Sequence, residues 1–163
     1  MFLRKLLVPI AIVICYAAVA PAEEARSFGS SDKIAIEQLY GRYLQAFIQK
    51  DYAALRECVQ APFVVVTGGE MRTLESLDSV IAFYRAQLEA LERRNYDRAV
   101  VQKTRITPLT AESALINKAF RRYKKDGSVL ENGAAVYPVS KSGGGWKLRG
   151  TLRQEPQYFG KTY

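Results

Sequence analysis

The chain has 163 residues, with 24 lysines and arginines against 16 aspartates and glutamates, and it contains no histidine. The lack of histidine removes the commonest general base and metal ligand, together with every nucleophile that a histidine would activate. With two cysteines and no histidine, the sequence predicts no tightly bound transition metal and no cofactor. The excess of positive charge would suit contact with an anionic envelope surface, although the simpler interpretation is a solvated face.

The first 22 residues have the order of a secretory signal peptide. Arg4 and Lys5 form a short positive start, an apolar run covers residues 6–20, and Ala20-Pro21-Ala22 has the small residues that signal peptidase reads. The run is short for a membrane span, which needs about 20 apolar residues, so cleavage is predicted ahead of retention as an anchor. The mature chain would begin at Glu23 and lie in the periplasm or outside the cell.

The rest of the chain is long enough for one domain with one core. Residues 23–31 are polar and are interpreted as a linker, residues 32–153 as the domain, and residues 154–163 as a C-terminal tail. Cys58 would be the only cysteine after cleavage, which excludes an intramolecular disulfide. Its apolar surroundings favour a buried thiol over a reactive one.

The strongest local pattern predicts a long first helix. Apolar residues within 36–48 recur at helical spacing, and either Ser31 or Asp32 could cap the helix. Asp51 is predicted to cap a second, shorter helix that Pro62 ends. This first stretch of the domain therefore contributes two consecutive helices.

A hairpin and a third helix follow. The β-branched run 63–67 predicts a strand, Gly68-Gly69 a turn, and residues 71–74 a strand that pairs back. Ser76 is predicted to cap a third helix with its apolar face within residues 77–91.

The second half of the chain has the alternation of antiparallel strands. Four strands are predicted, at residues 96–108, 113–123, 129–140 and 146–153. In the last of them Trp146, Leu148, Gly150 and Leu152 alternate with a basic row, which predicts a half-buried strand with a basic outer face. Helices followed by a run of strands indicate an α+β domain, and a bent sheet around the first helix would leave a cavity.

Residues 36–47 and the restart 50–55 resemble the nuclear-transport-factor-2-like superfamily, whose members include SnoaL-like polyketide cyclases and ketosteroid isomerases. A long helix, a restart at Asp51, strand-turn-helix and four strands is that family's layout, and it covers about residues 32–153. The resemblance implies a cone-shaped α+β domain in which three N-terminal helices pack on a strongly curved antiparallel sheet.

The same resemblance implies little catalytic equipment. Tyr43 falls where ketosteroid isomerases keep the tyrosine that donates to the substrate oxyanion. Thr67 falls where their general-base aspartate belongs, and residues 134–137 lack the second oxyanion-hole acid. We therefore predict no catalytic residue and lean against an enzyme, with an isomerase, dehydratase or cyclase that uses Tyr43 as the alternative. An envelope assembly module is a further alternative if the N-terminal segment stays as an anchor.

The cone fold implies that aromatic side chains converge on one pocket for a small hydrophobic molecule. Helix three could supply either Phe83 or Tyr84. Tyr40 and Tyr43 lie on the apolar stripe of the first helix, which favours wall or core residues over catalytic ones. The predicted ligand-binding set is Tyr40, Tyr43, Phe63, Thr67, Tyr84, Tyr137 and Trp146.

Partners and surfaces remain open at this point. Nucleic acid is not expected, because no known binding motif is present. Homodimers are common in the resembling family, but the row Lys147, Arg149 and Arg153 argues against a dry symmetric contact. Asn117 points into the pocket or away from it according to the strand register. The cationic run within 118–125 is interpreted as a solvated strand edge, with phosphate or headgroup binding as the lesser alternative.

Overall fold

The structure is a computed structural model that describes residues 27–160. The predicted signal peptide and residues 23–26 of the predicted linker lie outside the described residues. The helices are α1 Ser30–Gln49, α2 Tyr52–Cys58 and α3 Leu77–Glu92. The strands are β1 Val59–Thr67, β2 Glu70–Leu74, β3 Tyr96–Thr110, β4 Ser113–Lys124, β5 Val129–Ser142 and β6 Gly145–Gln154, and a 3-10 turn at Pro156–Tyr158 follows.

The six described strands form one sheet in the order β2-β1-β6-β5-β4-β3. Helices α1 and α3 pack on one face of this sheet, so the predicted α+β architecture of three helices on a curved sheet is confirmed. One detail differs: β1 pairs with β6 in parallel, whereas every other neighbouring pair is antiparallel. The sheet is therefore mixed rather than wholly antiparallel, because the first hairpin joins the later strands alongside β6.

The N-cap of helix α1 lies two or three residues earlier than the predicted caps Ser31 and Asp32. Its N-cap is Gly29, whose backbone N–H donates to the Asp32 carboxylate at 3.0 Å. Asp32 thus lies in the first turn, where a negative charge complements the helix dipole, rather than at the cap itself. The helix ends before Lys50, which adopts a left-handed conformation with φ of 59°.

The boundary between α2 and β1 differs from the prediction. The Asp51 side chain accepts a hydrogen bond from the Ala54 backbone N–H at 2.9 Å, as a cap should. The helix then ends at Cys58, and Val59 already pairs with Leu148 of β6. Pro62 does not end the helix. It lies inside β1, in the stretch where the register with β6 shifts and no ladder hydrogen bond is required of it.

The core lies between the helices and the inner face of the sheet. Ser76 caps α3 as predicted, by accepting a hydrogen bond from the Ser79 backbone N–H at 3.2 Å. Burial of each large apolar side chain stabilises the fold by about 1.5–3 kcal/mol. The largest fully buried side chains include Tyr84, Phe63, Ile36, Leu39, Leu55, Ile116 and Leu148.

The register of β4 resolves the two alternatives for Asn117. Ile116 is fully buried and Lys118 is 6% exposed, so these residues face the helices and Asn117 lies on the outer face. The interpretation of Lys118 as part of a solvated edge is therefore wrong. Its Nζ donates to Thr104 Oγ1 at 2.8 Å and lies 4.4 Å from the ring centre of Tyr40. Burial lowers the pKa of Lys118 below its ordinary value.

No helix within residues 27–160 is both long enough and apolar enough to cross a membrane.

Candidate ligand-binding pocket

A cavity of about 300 Å³ opens between α1, α3 and the inner face of the sheet. Its walls combine aromatic rings, small side chains and guanidinium groups. The lining residues are Tyr43, Thr67, Arg72, Phe83, Ala86, Gln87, Phe120, Arg122, Ala134, Ala135, Tyr137, Thr151 and Arg153.

The apolar wall is the surface of an aromatic cluster. The rings of Tyr43 and Tyr137 both line the cavity, with centroids 5.8 Å apart. Tyr84 packs edge-on against Tyr43 at 5.5 Å, and Phe63 packs against Tyr84 at 5.8 Å. Tyr84 and Phe63 are fully buried. These two predicted site residues therefore support the wall from behind, and on α3 it is Phe83 that reaches the cavity.

Tyr40 lies beside the cavity rather than in it. Its ring packs edge-on against Tyr137 at 5.2 Å. It lines a narrow crevice between α1 and the sheet that shares Tyr43, Phe120 and Tyr137 with the main cavity. Tyr40 therefore shapes the wall from the adjoining crevice.

A glycine positions one of the aromatic walls. Phe120 of β4 is paired with Gly133 of β5, and its ring lies directly over this residue. A Cβ atom at Gly133 would lie only 2.5 Å from the Phe120 ring. The missing side chain therefore lets the Phe120 ring lie against the sheet at Gly133, where it forms part of the cavity wall.

Trp146 does not join the predicted set. It lies at the start of β6, whereas the cavity is bounded by Thr151 and Arg153 near the end of that strand. The indole packs edge-on against Phe28 with centroids 5.9 Å apart, and it lines a separate surface depression with Asp32. The expectation that Trp146 shares the cavity is thus corrected, because strand alternation assigns a face but not an end.

Three arginines bring positive charge to the cavity, and one carboxylate organises two of them. Glu131 of β5 forms ion pairs with Arg122 and, at 3.8 Å, with Arg153. Arg94 also reaches Glu131, at 2.8 Å, but does not line the cavity. Burial alone would raise the pKa of Glu131, but the hydrogen bonds and charges of these arginines outweigh it and hold that pKa below its ordinary value. Glu131 is therefore a fixed anion.

Arg122 is the most enclosed of the three cavity arginines. Its side chain is 13% exposed, and its guanidinium carbon lies 4.8 Å from the ring centre of Phe120. The Nε–H is buried and has no hydrogen-bond partner within residues 27–160. The third arginine, Arg72, lies on the opposite wall, where its guanidinium carbon is 5.3 Å from the ring centre of Phe83.

The polar groups of the cavity donate hydrogen bonds and carry positive charge. Burial raises the pKa of the hydroxyl groups of Tyr43 and Tyr137, so both stay protonated near neutral pH. Thr67, at the end of β1, likewise keeps its proton. The lining contains no carboxylate, and the chain has no histidine. Within residues 27–160 there is also no group of three or more residues able to hold a metal ion.

The sequence profile of a family described as "NTF2-like protein (DUF6841)" matches residues 31–156. The chain belongs to this NTF2-like family. No curated protein sequence matches the chain.

Solved structures agree on the fold of this NTF2-like domain. A cystatin-like-fold protein of unknown function from Nostoc punctiforme superposes with a TM-score of 0.64 at 12% identity, over 80% of this chain and 98% of its own. A candidate ketosteroid isomerase from Shewanella frigidimarina superposes with a TM-score of 0.61 at 15% identity, over 74% of this chain and 94% of its own. An NTF2-like protein from Novosphingobium aromaticivorans superposes with a TM-score of 0.63 at 15% identity, over 81% of this chain and 85% of its own. At these identities the likeness concerns the fold alone.

The positions that the family resemblance singled out do lie at the cavity of this NTF2-like domain. Tyr43 and Thr67 both line it, on α1 and at the end of β1. On β5 the wall is formed by Ala134, Ala135 and Tyr137. The tyrosine of the ketosteroid-isomerase pattern is therefore present at the cavity, while the two positions that would carry its acids hold a threonine and an uncharged strand.

The sequence interpretation missed the cavity arginines. Arg153 was assigned to the outer face by strict alternation along β6. The register between β5 and β6 shifts between Val136 and Val139, so that Thr151 and Arg153 reach the cavity face. The inward position of Arg122 could have been recognised in the sequence, since Arg122 follows Ile116 at even spacing on β4 and therefore shares its inward face.

Proposed function

We propose that this chain is an exported, small-ligand-binding domain whose pocket holds a small, mostly apolar molecule without transforming it. The observation that carries the proposal is the composition of the cavity. Aromatic rings and hydrogen-bond donors line it, and no group in the lining accepts a proton near neutral pH.

The size and lining of the cavity suit a small organic ligand. Ligand pockets commonly begin at about 300 Å³ and are lined mainly by apolar and aromatic groups with a few placed polar ones. The cavity here is about 300 Å³. Tyr43, Tyr137, Phe83 and Phe120 offer flat apolar surface, and the tyrosine hydroxyls can orient an acceptor on the ligand.

Binding without turnover follows from the protonation states. General acid–base catalysis needs a titratable group with a pKa near the working pH. Burial moves the pKa of Tyr43 further from neutrality, and Thr67 has no accessible ionisation. Glu131 is occupied by arginines and lies outside the lining. The pocket can therefore hold and polarise a carbonyl but has no base to complete a proton abstraction.

The second candidate is an isomerase, dehydratase or cyclase in which Tyr43 donates to a developing oxyanion. It is favoured by the presence of the Tyr43 ring at the cavity and by the fold shared with a candidate ketosteroid isomerase. The two functions differ in whether a bound enone is released unchanged or is converted to product.

A ligand panel with product analysis separates them. Steroid-like and polyketide-like enones and simple aromatics would be titrated by calorimetry, and each mixture would be examined chromatographically. We expect saturable binding that weakens in Tyr43→Phe, with every compound recovered intact. Tyr158→Phe is the matched control, because Tyr158 is exposed and lies outside the cavity. Turnover that depends on the Tyr43 hydroxyl would establish the enzyme instead, and no binding by any member of the panel would overturn the proposal.

A further inference from the structure

Positive charge is concentrated at one wall of the cavity. Arg122 and Arg153 line this wall, and Arg94 reaches the same carboxylate from outside it. Arg72 adds a fourth guanidinium from the opposite side. Within residues 27–160, Glu131 is the one carboxylate paired with this group, so its single charge leaves most of the positive charge of these four arginines uncompensated by described residues.

The arrangement is not that of ordinary surface arginines. The side chain of Arg122 is 13% exposed, and its buried Nε–H lacks a partner within the described residues. A buried donor without a partner is unfavourable, because it has lost its hydrogen bonds to water and gained none in return. Arg122 therefore lines the cavity with a guanidinium whose carboxylate partner, Glu131, is shared with Arg94 and Arg153, and its buried Nε–H has no partner within residues 27–160.

We infer that the ligand carries a carboxylate, which binds at Arg122 and Arg153 while its apolar body lies against Tyr43, Tyr137 and Phe120. This inference rests on the proposed function and names the class of its ligand: a small amphipathic carboxylic acid, bound as its anion. The planar guanidinium offers two parallel donors that match the two oxygens of a carboxylate, so the pairing is directional as well as electrostatic.

The same geometry explains why the aromatic wall and the arginines are adjacent. The guanidinium carbon of Arg122 lies 4.8 Å from the ring centre of Phe120. A ligand ring that packs on the aromatic wall would therefore hold an attached carboxylate next to this guanidinium. Tyr137 lines the cavity between β4 and β6, from which Arg122 and Arg153 project. A neutral ligand of the same shape would use the aromatic wall but leave the arginine charges solvated by water alone.

The test compares two probes of matched shape, 2-naphthoate and 2-naphthalenemethanol, by calorimetry on the chain that begins at Glu23. We expect the carboxylate to bind at least about tenfold more tightly, since a hydrogen-bonded charge pair of this kind is worth about 1.5–3 kcal/mol. Arg122→Gln and Arg153→Gln should each remove most of that preference while changing the affinity for the alcohol by less than about twofold.

The test includes one variant that should fold normally and one control that removes the same charge outside the cavity. The Arg153 side chain is 54% exposed, so Arg153→Gln should fold normally even if Arg122→Gln does not. Arg121→Gln is the matched control: it removes the same charge from the neighbouring residue of β4, whose side chain pairs with Asn132 and does not line the cavity. It should leave the affinities for both probes unchanged.

Equal affinity for the two probes, insensitive to Arg122 and Arg153, would overturn this inference and leave the proposed binding function intact. A loss of carboxylate affinity as large in Arg121→Gln would also overturn it, because the effect would then be general electrostatic attraction. Failure of both probes and of the whole enone panel would overturn the binding function and the inference together.

Discussion

The indole Nε1 of Trp146 donates a hydrogen bond to Asp32 Oδ1 at 3.3 Å, linking the last strand of the sheet to the first turn of α1. The same carboxylate pairs with Lys141 Nζ at 2.7 Å and accepts from the Gly29 backbone N–H at 3.0 Å. Asp32 is only 3% exposed. One buried carboxylate in the first turn therefore holds the N-cap residue Gly29 and fixes the start of α1 to β5 and β6.

Asp32→Ala should destabilise the domain by about 3 kcal/mol, because it leaves the Lys141 ammonium, whose side chain is 21% exposed, and the Trp146 indole donor without their acceptor. Urea unfolding followed by Trp146 fluorescence measures this directly. Asp97→Ala removes a carboxylate from an exposed ion pair with Arg98 and should cost less than about 0.5 kcal/mol. Equal losses in the two variants would contradict the role given to Asp32.

Glu131→Gln should lower stability in a pH-dependent way. The pKa of Glu131 is lower in the folded chain than its ordinary value, so its contribution is present above that ordinary pKa, about 4.3, and is lost as pH falls through the folded pKa. We expect the variant to be about 2 kcal/mol less stable at neutral pH, with the difference closing in acid. Urea unfolding at stepped pH values, with the exposed Glu75→Gln as control, tests this. A difference that persists unchanged in acid would argue against it.

Gly133→Ala should close part of the cavity. The added Cβ would lie 2.5 Å from the Phe120 ring, which therefore has to shift, and this ring is part of the cavity wall. We expect ligand affinity to fall by about tenfold or more and stability by about 1–2 kcal/mol. Gly41→Ala is the control, because its Cβ meets nothing within 4 Å on the exposed side of α1, and it should stabilise the helix by about 0.5–1 kcal/mol. Full affinity in Gly133→Ala would show that Phe120 does not bound the site.

The Cys58 thiol should be protected in the native protein. Cys58 is 2% exposed, and burial raises its thiol pKa despite the nearby charges of Arg42 and Lys147. In a Cys15→Ser background, alkylation by iodoacetamide should be at least about a hundredfold slower in native buffer than in concentrated guanidinium chloride. Mass spectrometry over time measures both rates. Rapid native labelling would mean that the α2–β1 boundary opens readily.

Exported material should begin at Glu23. The prediction follows from the positive start at Arg4 and Lys5, the apolar run and the small residues Ala20-Pro21-Ala22. Intact-mass analysis of protein recovered from the periplasm or the medium reads the N-terminus. Retention of Met1 on membrane-bound protein would support an anchored assembly module instead.

Local patterns were sufficient for most of the fold. The stripe of residues 36–48 predicted α1, and Asp51 and Ser76 cap their helices as expected. The exception is the entry into β1, where Val59 pairs with a strand almost ninety positions later in the chain. The residues around position 62 give no sign of that distant partner, which is why the sequence predicts that the helix ends at Pro62.

The candidate pocket was predictable only in part. Helix spacing places Tyr43 on the inward face of α1, and the cone fold implied by the family resemblance suggests Tyr137. Alternation failed at Arg153, because the register shift in β5–β6 exchanges the two faces of the strand and depends on both strands at once. The separation of Trp146 from the pocket depends on where along β6 the helices lie, which no local pattern contains.

Among the described strands, β6 alone joins the β1–β2 hairpin to the antiparallel strands β3, β4 and β5, because it pairs with β1 on one side and with β5 on the other. The antiparallel meander of β3, β4 and β5 can form from neighbouring segments, whereas the β1–β2 hairpin has no sheet to join until residues as late as Leu152 have left the ribosome. Pairings between such distant segments form slowly. Translation order therefore delays completion of this sheet until β6, the last of its described strands to be synthesised, is available.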